Sequence, residues 1–379
     1  MTSSILWIDF DVSERDRAQR ILDLFTEKDT RDELGLGAIR DSIADLLFPG
    51  TSTIQTRLRY MLFVPWLFMQ AAGGGGGGRQ ALERSRGLEI ALIEALKRGT
   101  PDSGVIGRDA GAALKRLPSD VYWAGLLNWG VRRLPGSQQD FLAQTARRAL
   151  DAPPAWAPGL PPAPADLLER ANFALSAEES AFLTDRLAAS CPGSVLAELA
   201  LSRDATESDA IWLHPGLGGF STPIRGLIRH AEVFSQLMHG ASLLYNLMLA
   251  EKRGREDWIE AWRERLDTWT ETVDPVAITH WHLDDFWAQT RHEAHMVRPA
   301  LTRFVVEWRD MAIAMHGGIA DHAPARALIE TREVRLKGAQ SRLRNRAALD
   351  RWGGASGAGA LTFRWGVAQR HLKDLVDAA

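Results

Sequence analysis

Three residues late in the chain have the types and the spacing of metal ligands. His280, His282 and Asp284 alternate along one short segment. Imidazole and carboxylate groups are common zinc ligands, and bound zinc activates water for hydrolysis. These residue types therefore make a metal site one candidate. The alternative is a helix rich in Trp and His, with imidazoles that are hydrogen-bonded or solvated and bind no metal.

The segment resembles the His-x-His-x-Asp-His signature of metallo-β-lactamase-like hydrolases. That resemblance implies a metal-dependent hydrolase with His280, His282 and Asp284 as zinc ligands, a strand at residues 276–278 before them, and His292 or His295 nearby. The likeness is incomplete, because Asp285 stands where the signature has its last His, and the bulky Phe286 follows where small residues are usual. The signature also belongs early in an αββα fold, whereas this segment lies late in a chain with helical patterning. These departures favour the metal-free alternative.

A run of basic residues near the C-terminus is the second candidate site. Between residues 332 and 351, seven cations face only two carboxylates. On one continuous helix, Arg335, Arg342 and Arg346 fall on the same face, with Arg344 beside them. Clustered guanidiniums suit phosphate backbones, so the segment predicts a nucleic-acid contact. The alternative is a helix face that is solvated or paired with acidic neighbours.

Three further arginines are candidate nucleic-acid contacts. Residues 108–116 and 119–129 favour two short helices, and the basic turn that follows contains Arg132 and Arg133. Helix, tight turn, helix and basic turn is the outline of a winged helix-turn-helix, although an ordinary helical hairpin has the same outline. Arg57 lies near the polar start of an apolar helix, where an anion can be held.

Composition limits the setting of such a protein. The 379 residues include 45 basic and 48 acidic side chains, a net charge of -3, which argues against a uniformly basic DNA-coating protein but allows a local patch. The single Cys191 excludes a disulfide framework and fits a reducing cytoplasm. Because no secretory signal and no apolar run of transmembrane length is evident, we expect a cytoplasmic protein without membrane contact.

No other motif indicates catalysis or a cofactor. The six glycines at residues 73–78 lack the Lys-Ser/Thr ending of a phosphate loop, and the Gly-rich residues 353–359 lack it too. No Ser/His/Asp arrangement is recognisable. We therefore predict no nucleotide cofactor and assign no catalytic residue.

The elements that carry these residues are predicted to be helices. Apolar residues recur at helical spacing over residues 53–70, which include Pro65, and over residues 224–252, the longest such run. Ser176 and Glu179 match a capping box at the start of another helix. The fold class is therefore predicted to be mainly α.

Two helical lobes are predicted on either side of a proline-rich linker. Residues 152–165 contain six prolines, which make a stiff and extended connector. The first lobe is residues 1–151, with a flexible glycine-rich loop at 73–78. The second lobe is residues 166–379, with basic helices towards the C-terminus.

Seven segments together resemble an uncharacterised bacterial family, the domain-of-unknown-function family number six thousand three hundred and sixty-one. They are residues 7–10 (WIDF), 28–35 (KDTRDELG), 47–57 (LFPGTSTIQTR), 118–123 (PSDVYW), 239–246 (HGASLLYN), 332–338 (REVRLKG) and 342–352 (RLRNRAALDRW). The resemblance spans nearly the whole chain. It implies a bacterial origin and gene neighbourhoods with helicases, methyltransferases and phospholipase-D-like proteins of anti-phage islands. The family has no assigned catalytic residues, so none is carried over.

The expected function is that of a non-enzymatic accessory component of a bacterial anti-phage system. Such a component contacts DNA through the arginines named above and binds a helicase or methyltransferase partner. Two alternatives stay open: a pure protein–protein scaffold, and a metal-dependent hydrolase that uses His280, His282 and Asp284. The sequence does not indicate an oligomeric state.

Overall fold

The described part of the chain is built from α-helices. A computed structural model describes residues 32–75, 77–99, 104–109, 114, 116–146, 153–291, 294–314 and 317–378. These residues contain no strand, and an isolated antiparallel bridge joins Arg132 and Trp156. The prediction of a mainly α fold is confirmed. Predictions for residues 1–31, and for most of the helix at 108–116, lie outside the described residues.

Fifteen α-helices are described, numbered here in chain order. They are α1 (Gly37–Leu47), α2 (Tyr60–Gly73), α3 (Gly78–Gly99), α4 (Pro118–Asn128), α5 (Gln138–Ala146), α6 (Ala177–Ser190), α7 (Val195–Ser202), α8 (Thr222–Arg253), α9 (Glu256–Thr272), α10 (Pro275–Thr279), α11 (Leu283–Thr290), α12 (Pro299–Ala314), α13 (Ala323–Lys337), α14 (Arg346–Asp350) and α15 (Trp365–Val376). No helix of the described residues has both the length and the apolar character needed to cross a bilayer.

The chain divides into two compact units. The first comprises the described residues up to Ser42 together with Arg229–Leu361, and the second comprises the described residues of Ile43–Ile228 and Thr362–Ala379. The described part of the predicted linker belongs to the second unit, where the indole N–H of Trp66 donates to the carbonyl of Pro161 at 2.8 Å. That residues 152–165 link two separately folding lobes stays a prediction.

Helix α2 forms the core of the second unit. Ten of its residues are buried, which agrees with its apolar character on every face. The predicted start at residue 53 is wrong, because the helix begins at Tyr60. Polar side chains hold the preceding residues in turns: the Thr51 hydroxyl donates to the carbonyl of Phe48 at 2.6 Å, and the Gln55 amide donates to the carbonyl of Gly50 at 3.0 Å. Such bonds between side chain and backbone compete with helix formation.

The long helix α8 supplies a buried stripe to the first unit, as the sequence predicts. Two tryptophans donate indole N–H bonds to its backbone, Trp269 to Gln236 and Trp308 to Leu237, each at 2.8 Å. Gly240 permits this packing, because a Cβ there would lie 2.3 Å from the Trp269 ring. Tryptophan therefore fills this core while its N–H group keeps a partner.

Candidate nucleic-acid interface

The arginine-rich residues 332–351 do not form one helix. Helix α13 ends at Lys337, and Gly338 follows with a φ of 52° and a ψ of -123°. Such a backbone conformation favours glycine and stops the helix. A short turn separates it from α14, so the prediction that Arg335, Arg342 and Arg346 share one helix face is wrong. Arg335 lies on α13, Arg342 in the turn and Arg346 on α14.

Arg342 belongs to a buried charge network of the first unit. Its guanidinium Nη1 donates to Glu33 Oε1 at 2.9 Å and to Ser356 Oγ at 3.1 Å. Its backbone N–H donates to Glu333 Oε1 at 2.7 Å. The side chain is only 13% exposed. Arg342 therefore presents little of its charge to solvent.

Lys337 and Tyr245 complete this network. The Lys337 ammonium pairs with Glu33 and donates to the Tyr245 hydroxyl at 2.9 Å, and it lies 3.4 Å from Glu333. Burial alone would raise the pKa of Glu33, but hydrogen bonds from Lys337 and Ser356 and the charges of Lys337 and Arg342 lower it below the ordinary value. Two carboxylates thus balance two cations.

The network joins parts of the chain that are distant in sequence. Glu33, Tyr245, Lys337 and Arg342 come from four of the segments that carry the family resemblance. Burial raises the pKa of the Tyr245 hydroxyl, and the nearby charges of Glu333 and Glu33 raise it further, so the group stays protonated. With charges balanced and side chains bonded to one another, the network holds the unit together.

A second set of cations lies at the surface, with four members exposed and Arg253 half-buried, and we call it the arginine patch. Its members are Lys252, Arg253, Arg344, Arg346 and Arg351. The first two end α8 and are brought to the others by contacts of Arg346 and Asp350. The sequence analysis missed these two, although basic residues in a last turn suit the negative end of the helix dipole.

The patch has an excess of positive charge. Arg346 and Arg253 share one carboxylate, Asp350, and Arg344 pairs with Glu330 at 3.1 Å. Five cations against these two carboxylates leave a net charge of +3. The side chains of Arg344 and Arg346 are 64% and 66% exposed, so both can meet a ligand. Arg351 is exposed and donates to the Gln340 side chain at 3.2 Å. Arg335 is exposed and has no ion pair with any described residue.

The three predicted nucleic-acid contacts in the second unit differ in their exposure to solvent. Arg57 pairs with the buried Asp374 at 2.7 Å. Arg132 is 3% exposed, lies over the Trp123 ring at 4.3 Å, and donates to the Trp123 carbonyl at 3.2 Å. Burial lowers the pKa of the Arg132 guanidinium. Arg133 is exposed, and its backbone N–H donates to the Ala155 carbonyl.

The helix predicted at 119–129 agrees with α4, and the basic turn follows it. The winged helix-turn-helix stays a prediction, because its first helix falls mostly outside the described residues.

The chain belongs to DUF6361, a family of unknown function. The family profile matches residues 2–379, which confirms the resemblance drawn from the seven segments. Searches of curated proteins and of solved structures each found no match.

In this DUF6361 chain the two histidines lie in a turn between two helices, α10 and α11. Residues 276–278, predicted as a strand, lie in α10, because Pro275 suits a first helical position and Asp274 accepts the N–H groups of Val276 and Ala277. His280 Nδ1 lies 2.8 Å from the Val276 carbonyl, and His282 precedes α11.

Asp284 is exposed in the first turn of α11. Within the described residues, no three His, Cys, Asp or Glu side chains are grouped so as to hold a metal ion. His292 lies outside those residues and His295 is half-exposed. The metal-dependent hydrolase therefore stays an untested prediction.

Proposed function

We propose that this DUF6361 protein is a non-enzymatic, cytoplasmic accessory component of a bacterial anti-phage system and that it contacts nucleic acid through the arginine patch. The observation that supports nucleic-acid contact is the exposed charge excess of the patch. The anti-phage setting and a helicase or methyltransferase partner are supported by the family resemblance alone.

The arginine patch is better suited to bind a phosphate backbone than the full set of arginines predicted from the sequence. Guanidiniums bind phosphate oxygens in a bidentate manner, and their contacts release counterions from the nucleic acid. Arg344, Arg346 and Arg351 keep donors at the surface, whereas Arg57, Arg132 and Arg342 are engaged with internal partners. Since the whole chain carries a net charge of -3, this interaction is local.

A duplex-binding titration tests the proposal. The triple variant Arg344→Ala, Arg346→Ala, Arg351→Ala is compared with the wild type by fluorescence anisotropy at several salt concentrations. We expect binding that weakens steeply with salt, a loss of at least about tenfold in the variant, and a salt slope smaller by up to about 3, near one for each lost phosphate contact.

The matched control removes the same charge elsewhere. Arg170, Arg298 and Arg303 are exposed and lie outside the patch, so their replacement by Ala should leave binding within about twofold. Equal losses in both triple variants, or no binding at low salt, would contradict the proposal. Recovery of a partner protein with indifference to DNA would favour the scaffold instead.

A further inference from the structure

A cleft of about 340 Å³ lies in the second unit beside the last helix, α15. Its lining residues are Thr56, Arg57, Gly104, Arg370, Lys373, Asp374 and Asp377. Three of them are cationic and two are acidic. A volume near 300 Å³ is at the small end of the range for ligand sites.

One cation of the cleft is held rigidly. The Arg57 guanidinium is fixed by the Asp374 carboxylate at 2.7 Å, and that carboxylate also accepts the N–H of Leu58 at 2.7 Å. Because the Asp374 side chain is 4% exposed and paired with Arg57, the two together add little net charge of either sign to the cleft. Gly104 allows the opposite wall to approach, since a Cβ there would lie 2.6 Å from Arg57 Cγ.

The other two cations are free to move. Arg370 and Lys373 lie one turn apart on α15 and are exposed. Arg370 donates to the Thr56 carbonyl at a long 3.3 Å. Lys373 pairs with Asp377 at 2.9 Å, and both side chains are more than half exposed. Such exposed pairs contribute little stability and open readily, so both cations can turn to a bound anion.

A neighbouring cleft restricts the kind of anion. It measures about 470 Å³ and shares Arg370 and Lys373, but Glu207 and Asp209 also line it. Its wall is fixed by two bonds between the Gln369 amide and the Ser208 backbone, at 2.8 and 3.0 Å. The two carboxylates would repel a phosphodiester chain running along α15, whereas they would attract an amine or accept hydrogen bonds from hydroxyls.

We propose that the first cleft binds the phosphate group of a small phosphate monoester, and that the neighbouring cleft binds an amino or hydroxyl group of the same ligand. Arg370 and Lys373 hold the phosphate, and the Arg57–Asp374 ion pair forms a fixed part of the cleft wall. Glu207 and Asp209 select the remainder of the ligand.

Isothermal titration with O-phosphoethanolamine and with inorganic phosphate tests this assignment on the full chain. We expect both to bind, with O-phosphoethanolamine the tighter. Arg370→Gln with Lys373→Gln should weaken both by at least about tenfold. Glu207→Gln with Asp209→Asn should weaken only O-phosphoethanolamine. Arg170→Gln, an exposed change away from both clefts, is the control and should leave both affinities unchanged.

Three results would overturn the proposal: no binding of either probe, equal binding by the Arg370/Lys373 double variant, or displacement of O-phosphoethanolamine by a single-stranded oligonucleotide of lower dissociation constant. The last result would make the cleft a nucleic-acid groove. Because this cleft and the arginine patch share no residue, each proposal can fail while the other stands.

Discussion

At the scale of single residues, Glu89 is a buried carboxyl group with a strongly raised pKa. Its oxygens accept the backbone N–H of Ser119 at 2.8 Å and the Ser119 hydroxyl at 2.9 Å, at the first turn of α4. Burial raises its pKa to about 7, although the two bonds from Ser119 oppose the rise. The folded protein therefore keeps a proton that the unfolded chain releases near pH 4.5.

This difference makes folding stability depend on the protonation of Glu89. As the pH rises from about 4.5 to 7, the folded state loses stability of up to on the order of 3 kcal/mol, because the unfolded chain releases the proton that folded Glu89 keeps. In Glu89→Gln this part of the decline should be absent, since an amide does not titrate and still accepts the Ser119 N–H. Urea unfolding at pH 5, 6, 7 and 8 measures it, and parallel pH profiles of variant and wild type would refute the prediction.

At the scale of elements, the sequence predicts helices better than it predicts their ends. Residues 224–252 were expected to be helical and α8 spans Thr222–Arg253, because its periodic apolar residues meet one core. The capping box is confirmed, with Ser176 Oγ accepting the Glu179 N–H at 3.2 Å. The end of α13 could not be predicted from residue spacing, since the helical spacing of the arginines continues across Gly338 while the backbone turns.

Substitution of Gly338 tests whether the end of α13 requires glycine. A Cβ there would meet nothing within 4 Å, so Gly338→Ala costs only the backbone conformation, about 1–3 kcal/mol. Gly226, inside α8 and equally open, is the control: Gly226→Ala should stabilise by about 0.5–1 kcal/mol. Chemical denaturation compares the two variants. Stabilisation by both would show that the turn after α13 does not require glycine.

At the scale of the whole molecule, residue types in the sequence could indicate a candidate site but not which charges reach solvent. Arg342 and Arg344 are equivalent in the sequence, yet one is bonded to Glu33, 309 positions away, and the other is exposed. Lys252 and Arg253 joined the candidate site only through contacts over more than 90 positions. Local spacing carries no information on such long-range pairs.

Glu33 offers the test of how far the buried charge network stabilises the first unit. Glu33→Gln leaves Lys337 and Arg342 with one carboxylate, and breaking a buried ion pair costs about 3 kcal/mol. Because the pKa of Glu33 is lowered, its contribution is complete at neutral pH and is lost as the pH falls below 4.5 through the folded-state pKa. The stabilities of wild type and variant should therefore differ at pH 7 and converge in acid.

The matched control for this variant is Glu330→Gln. Glu330 also pairs with an arginine, but Arg344 is largely exposed, so the expected loss of stability is under about 0.5 kcal/mol. Guanidinium unfolding monitored by tryptophan fluorescence separates the two cases. If Glu33→Gln and Glu330→Gln lose the same small amount at pH 7, the network does not hold the unit together, and Arg342 becomes as free to bind a ligand as the members of the arginine patch.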